Sequence, residues 1–256
     1  MTDPAVLVAQ DGPVRTLTLN RPSRRNALDL DDRRALLTAP AGAEQDRNCR
    51  AVVLTGADGV FCAGGDLRSM SQDRDVAVAR LVAVNDIARA LVRCPKPVIS
   101  AIEGGAFGPG LSLAAASDYV VAAEDARFEA SFAKIGLTAD TGLTWSLSHR
   151  VGPGRAKELI LFADELTAHQ AHRMGLVSEV VPRGEVMGRA VERAGHLAAA
   201  SPAMVAGTKR IFAQERQDPE SIPAAEAEVQ VELLAGDGFA EGRAAFLEGR
   251  TPVFTG

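Results

Sequence analysis

Apolar residues gather in two short runs, Ala51-Val52-Val53-Leu54-Thr55 and Val98-Ile99-Ser100-Ala101-Ile102, each followed closely by glycines. Unbroken runs of this length, bounded by turn residues, predict buried strands. Ahead of them, residues 5–9 and 14–19 flank Asp11-Gly12-Pro13, which predicts a hairpin. The spacing from Asn26 to Ala43 is helical, with Asp29, Asp31 and Asp32 early, where negative charge suits a helix N-terminus. A longer helical pattern runs from Arg68 to Cys94 through Val78, Leu81, Val82, Ile87, Leu91 and Val92, and Pro95-Lys96-Pro97 ends it.

Residues 118–123 predict another strand. Helices are expected over Leu143–His149 and Gly154–Phe162, parted by Gly152-Pro153, and over Thr167–Met174, closed by Gly175. A short strand at Val177–Val181 follows. From Gly184 onward the pattern is helical, broken near Ser201-Pro202 and Asp218-Pro219. The expected fold is a mixed α/β core followed by a helical C-terminal part, without a fixed-period repeat.

The 256 residues suffice for a full core, and a content of 46% hydrophobic and 24% charged residues is that of a globular soluble protein. No apolar run approaches the roughly 18 residues of a membrane span. Met1-Thr2-Asp3-Pro4 lacks the basic start and apolar stretch of a secretory signal, so a cytoplasmic location is expected. Cys49, Cys62 and Cys94 are odd in number and form no C-x-x-C pair, so buried, inert thiols are expected in place of a disulfide framework or zinc site. A net charge of −5 gives no general attraction to nucleic acid or anionic membrane. Arg21, Arg24 and Arg25 fit either a phosphate contact or a solvated turn.

Two glycine-rich turns carry the candidate chemistry. Val60-Phe61-Cys62-Ala63-Gly64-Gly65-Asp66-Leu67 follows the first strand. Gly104-Gly105-Ala106-Phe107-Gly108-Pro109-Gly110 follows the second and leads into a helix from Leu111 to Ala116. Glycines leave main-chain N–H groups open to an anionic oxygen, and a helix start adds the positive end of its dipole. Together the turns predict one oxyanion hole. The glycine order does not fit G-x-G-x-x-G, and no G-x-x-x-x-G-K-[ST] loop exists, which argues against dinucleotide and phosphate-loop sites. His169 and His172 lack the H-E-x-x-H register, and Ser148-His149 are adjacent on a helix and point apart. Asp140, in Thr138-Ala139-Asp140-Thr141-Gly142, is either an N-cap for the next helix or a working acid.

Taken in order, these segments resemble the crotonase superfamily, the enoyl-CoA hydratase and isomerase group. The resemblance rests on Asn20-Arg21-Pro22 with Asn26-Ala27-Leu28, on Phe61 to Leu67, on Gly104 to Asp118 and on Gly136 to Trp145. It continues in Ala168 to Val177 and in the ending Phe246 to Phe254. It implies a spiral of ββα units over residues 1–195 and a helical C-terminal segment over 196–256 that builds a homotrimer or homohexamer. It also implies an acyl-CoA thioester as substrate, held through an enolate, with no other cofactor and no metal.

By position, the Gly65 N–H is the first oxyanion donor. The second falls on Pro109, which has no N–H, so the Gly110 N–H is expected to replace it. Hydratases of the family use two glutamates; Ser112 and Phe132 stand at those positions, and neither exchanges protons near neutral pH. Asp140 matches the aspartate of family isomerases and of a dehalogenase. The dehalogenase's histidine base corresponds to about Asn85, which disfavours dehalogenation. Asp140 is expected to be ionised at pH 7, between the helix end and apolar neighbours such as Phe132 and Trp145. The CoA moiety is expected along Arg25, Ala27, Ala63, Gly64, Asp66 and Leu67, with Arg250 of the last helix over the nucleotide. The resemblance implies an enoyl-CoA isomerase first, a hydratase using Asp140 second, and a non-catalytic acyl-CoA binder third.

Overall fold

The computed structural model describes residues 3–214 and 218–255, apart from the side chains of Pro40, Ala41, Glu44, Ala83, Val84 and Asn85. Asn85, the position of the dehalogenase base, therefore lies outside the described side chains. The hairpin forms as expected: β1 (Val6–Asp11) pairs antiparallel with β2 (Val14–Leu19) around Gly12. There follow α1 (Leu30–Gln45), β3 (Ala51–Gly56), α2 (Arg74–Arg93), β4 (Val98–Ile102), β5 (Gly105–Phe107), α3 (Pro109–Ala116), β6 (Tyr119–Ala123) and β7 (Arg127–Glu129). The remainder is α4 (Leu143–Val151), α5 (Pro153–Phe162), β8 (Leu166–Thr167), α6 (Ala168–Arg173), β9 (Glu179–Val181), α7 (Val186–Ala198), α8 (Pro202–Phe212), α9 (Ser221–Leu234) and α10 (Asp237–Glu248).

The main sheet has the order β1-β2-β3-β4-β6-β9, parallel from β2 onward, with Val53 opposite Ile99 and Ala101 opposite Val121. Val52, Val53, Leu54, Ile99, Val120 and Val121 are all buried, so both faces of the central strands are covered. That double cover is why these strands are written as unbroken apolar runs. α7 supplies part of it, laying Val186, Ala190, Ala194 and Ala198 across β2, β3, β4 and β6.

Two helix starts differ from expectation. α1 begins at Leu30, not Asn26, because Arg25 and Asn26 adopt left-handed backbone and Asp29 forms a capping box with Asp32. α2 begins at Arg74, not Arg68. Asp66 caps a short turn at 67–69, and Asp73 then accepts hydrogen bonds from the N–H groups of Asp75 and Val76. A second sheet, β5-β7-β8, escapes the sequence reading because strands of two or three residues show no period.

Beyond α7 the chain breaks at Ser201-Pro202, where Ser201 caps α8 and Pro202 occupies its first turn. α8 meets α2 and α9, and α9 meets α10. Arg50 fastens this part to the sheet by donating to the carbonyls of Ala200 and Phe254. No helix among the described residues is long and apolar enough to cross a membrane.

Candidate active site

The two glycine turns meet. Cys62 N–H donates to the Gly105 carbonyl (3.2 Å) and Phe107 N–H to the Cys62 carbonyl (3.0 Å), aligning residues 62–66 with β5. On its other side the same segment receives Leu28 N–H at Gly64 O (2.8 Å), while Asp66 N–H donates to Leu28 O (3.1 Å). A Cβ at Gly64 would lie 3.1 Å from the Phe107 carbonyl and 3.7 Å from Pro109 Cδ. A Cβ at Gly110 would lie 2.7 Å from both Cβ and O of Cys62, closer than atoms can pack. Glycine at 110 is thus required by the approach of α3 to the first turn.

Among the described residues, neither the Gly65 nor the Gly110 N–H has an acceptor within the protein. Pro109 sits at the first position of α3, where its missing N–H leaves no helix bond unmade. Gly110 is therefore the first free donor of that helix, and the dipole adds positive potential there. Cys62 itself is inert: burial pushes its thiol up to about 12, and Sγ donates to the Asn26 carbonyl. Cys49 and Cys94 are also buried.

Asp140 stands next to this pair of turns. Its main-chain carbonyl accepts from the Ser112 hydroxyl (3.2 Å) and from the Leu143 N–H (3.1 Å). Its carboxylate Oδ1 accepts only from the Thr141 hydroxyl (2.8 Å) among the described residues. Gly142, not Asp140, is the N-cap of α4, so the capping reading is set aside and the carboxylate is left for chemistry. Ser112 is fully buried and shares its hydroxyl with the Gly108 carbonyl, which suspends Asp140 from the first turn of α3. Phe132 is buried against the same turn, its ring tip 3.8 Å from where a Gly108 Cβ would be. Trp145 is 43% exposed and stacks on His149, ring centroids 4.1 Å apart. It borders a cavity of about 280 Å³ together with Ala88, Val92 and Gly142.

The remaining hydroxyls and imidazoles serve local structure. Ser148 donates to the Thr144 carbonyl, and a His172 ring nitrogen meets the Val177 carbonyl. Among the described residues no cluster of three or more His, Cys, Asp or Glu could hold a metal ion.

The proposed coenzyme contacts are divided by the structure. Arg25, Ala27, Ala63, Gly64 and Asp66 come together along the 24–28 and 62–66 segments, with Ala63 N–H on the Arg25 carbonyl (3.0 Å). Arg21 and Arg24 are occupied by carboxylates: Arg21 pairs with Asp32, and Arg24 with Asp29, Asp32 and Asp66. Burial works against the Asp29 charge, yet the Asp32 N–H and Arg24 hold it down at about 2. Asp32, more deeply buried beside that charge, is pushed up. Arg25 is exposed and has no side-chain partner among the described residues, and Leu67 is exposed as well. Arg250 is engaged elsewhere, in ion pairs with Glu241 and Glu248 of α10.

Two residues at the site escaped the sequence reading. A Cβ at Gly65 would lie 3.0 Å from Arg80 Nη2 and 3.2 Å from Arg33 Nη2. Arg33 is only 1% exposed, and burial, then the Arg80 charge, brings its guanidinium down to about 10. Arg80 is lowered by burial as well, and Asp140 acts electrostatically on both. In the sequence Asp31-Asp32-Arg33-Arg34 looks like a solvated helix face; only the packing of α1 on α2 turns Arg33 inward.

Free amides at two joined turns, with one carboxylate hung beside them, define a site for an acyl carbonyl that gains negative charge. The enoyl-CoA hydratase/isomerase family model matches residues 10–256, and the chain belongs to that family. It is an acyl-CoA-processing enzyme with the crotonase fold. A probable enoyl-CoA hydratase of Rhodobacter capsulatus is 39% identical over 94% of this chain and 93% of its own length. The 1,2-epoxyphenylacetyl-CoA isomerase of Escherichia coli K12 is 36% identical over 95% of each chain. A crystal structure of an enoyl-CoA hydratase from Polaromonas sp. JS666 superposes with a TM-score of 0.93 at 34% identity, covering 97% of this chain and 99% of that one.

Proposed function

We propose that the enzyme shifts a double bond in an enoyl-CoA, with Asp140 as the proton shuttle. The observation that carries this reading is Asp140, whose main-chain carbonyl is held by Ser112 of the helix whose first free amide is Gly110, and whose carboxylate accepts only from Thr141 among the described residues. The thioester oxygen sits between the Gly65 and Gly110 N–H groups. Asp140 takes a proton from one carbon as negative charge moves onto that oxygen, and returns it at another. One carboxylate is enough for a transfer that begins and ends with the same proton inventory. Hydration needs a water to be deprotonated and a second proton to be delivered, and the two positions suited to it hold Ser112 and Phe132.

The test is incubation with 2-enoyl- and 3-enoyl-CoA thioesters in heavy water. Interconversion of the two with deuterium entering the chain is expected. Asp140→Asn should lower that rate about 10²–10⁴-fold while CoA thioesters still bind. Turnover undiminished in this variant refutes the assignment. Crystals with a saturated thioester should place the Gly65 and Gly110 nitrogens within hydrogen-bond reach of its carbonyl. The hydratase name of the 39% identical relative favours a second reading, in which Asp140 activates water; 3-hydroxyacyl-CoA as the main product selects it.

The free Arg25 supports a phosphate contact for the coenzyme, whose pantetheine passes Ala27, Ala63, Gly64, Asp66 and Leu67. We assign residues 1–195 to the catalytic core and 196–256 to an oligomerisation segment. The exposed Phe246 and Leu247 of α10 support a homotrimer or homohexamer. The enzyme acts in the cytoplasm, with no cofactor beyond the CoA of its substrate, and binds neither nucleic acid nor membrane.

A further inference from the structure

Arg33 and Arg80 come from different helices, α1 and α2, and bring their Nη2 atoms to the same point beside Gly65. Nε, Nη1 and Nη2 of Arg33 and Nη2 of Arg80 are buried without a hydrogen-bond partner among the described residues. Neither side chain forms an ion pair there, although Asp29, Asp66 and Asp140 act on one or both from a distance. Arg33 also stands in the opening turn of α1, where the helix dipole is unfavourable to a cation. A buried guanidinium normally has its donors met, and two of them side by side repel. Every one of these costs is relieved by one planar anion that accepts from both forks.

We infer that the Arg33–Arg80 pair is a receptor for a carboxylate carried on the acyl group, so that the enzyme takes CoA thioesters of short diacids. This rests on the thioester site proposed above. The carboxylate must lie within a few carbons of the thioester, because the guanidinium ends adjoin Gly65, whose N–H receives the carbonyl. The CoA phosphates have a better-placed partner in Arg25, which lies on an exposed turn with no side-chain partner among the described residues.

The test uses calorimetry on the full-length Asp140→Asn protein with three unreactive probes: butyryl-CoA, succinyl-CoA and CoA alone. Butyryl and succinyl differ by a methyl in place of a carboxylate. Succinyl-CoA should bind at least about tenfold more tightly than butyryl-CoA, the value of charge-assisted hydrogen bonds. Arg33→Met in the same background should bring that ratio to within about twofold, and Arg80→Gln should reduce it by a smaller factor. Circular dichroism of each variant shows whether it is folded, and Arg80→Gln keeps the test alive if Arg33→Met is not. Equal binding of butyryl- and succinyl-CoA overturns the inference and leaves the thioester site standing. Binding of none of the three probes defeats the thioester site itself. Loss of affinity for CoA alone in Arg33→Met reassigns the pair to a coenzyme phosphate and also overturns the inference.

Discussion

Two arginines drawn in from solvent, one partly and one fully, show opposite ways of carrying a charge in this molecule. Arg150, at the end of α4, donates through Nε to the Ala115 carbonyl (2.9 Å) and through Nη2 to the Ser117 carbonyl, closing the C-terminal end of α3. Arg33, beside Gly65 in the first glycine turn, donates to nothing among the described residues. Burial lowers both guanidiniums from their ordinary range. The first is a structural clamp, because the last carbonyls of a helix need donors and a cation suits that pole. The second has its donors unspent, and an unspent buried donor is a cost that only a ligand offsets.

Removing each charge should therefore move stability in opposite directions. Arg150→Met orphans two buried carbonyls, and a loss of about 3 kcal/mol is expected, read as a fall of roughly 10 °C in melting temperature. An unchanged melting temperature would dissolve the contrast. Arg33→Met should instead stabilise the ligand-free protein by on the order of 2–3 kcal/mol, since burial and the Arg80 charge push its guanidinium down to about 10. The sign follows from linkage. A base depressed in the folded state carries its full penalty below about pH 10, and the penalty fades as pH rises above that, where the folded form alone sheds its proton. Urea unfolding at pH 7 and pH 8 should therefore give the same gain for Arg33→Met.

The smallest effect is expected at Ser112, a satisfied polar group within the site. Ser112→Ala should cost about 1 kcal/mol in stability. It should also lower kcat several-fold with little change in KM, because Asp140 loses its tether to α3 and not its carboxylate. Steady-state kinetics on a 3-enoyl-CoA separates the two parameters. A rise in KM alone would place Ser112 against substrate instead.

Much of the fold was legible because burial on both faces writes itself into the chain. β3 and β4 are plain in Val52-Val53-Leu54 and Val98-Ile99, and Pro202 marks the start of α8. The starts of α1 and α2 were not legible: Arg25 and Asn26 take left-handed backbone for tertiary reasons, Asn26 being fully buried and bonded to Arg21, Ala57 and Val60. β5, β7 and β8 are too short to carry a period. At the site, the two turns with open amides could be read because such amides demand glycine, whereas the local sequence left Asp140 open between a helix cap and a working acid. Arg33 and Arg80 could not, since the same letters on an exposed helix face mean solvation. Their meaning arises only where two helices cross.

The seating of Gly110 on Cys62 has one more result. The gap between the glycine turn at 62–66 and the start of α3 is gauged by a single thiol-bearing residue, so the two are not free to drift independently of it. A bulkier residue at 62 pries the two glycine turns apart and a smaller one leaves the contact unfilled, which makes a chemically silent sulfur the spacer between them.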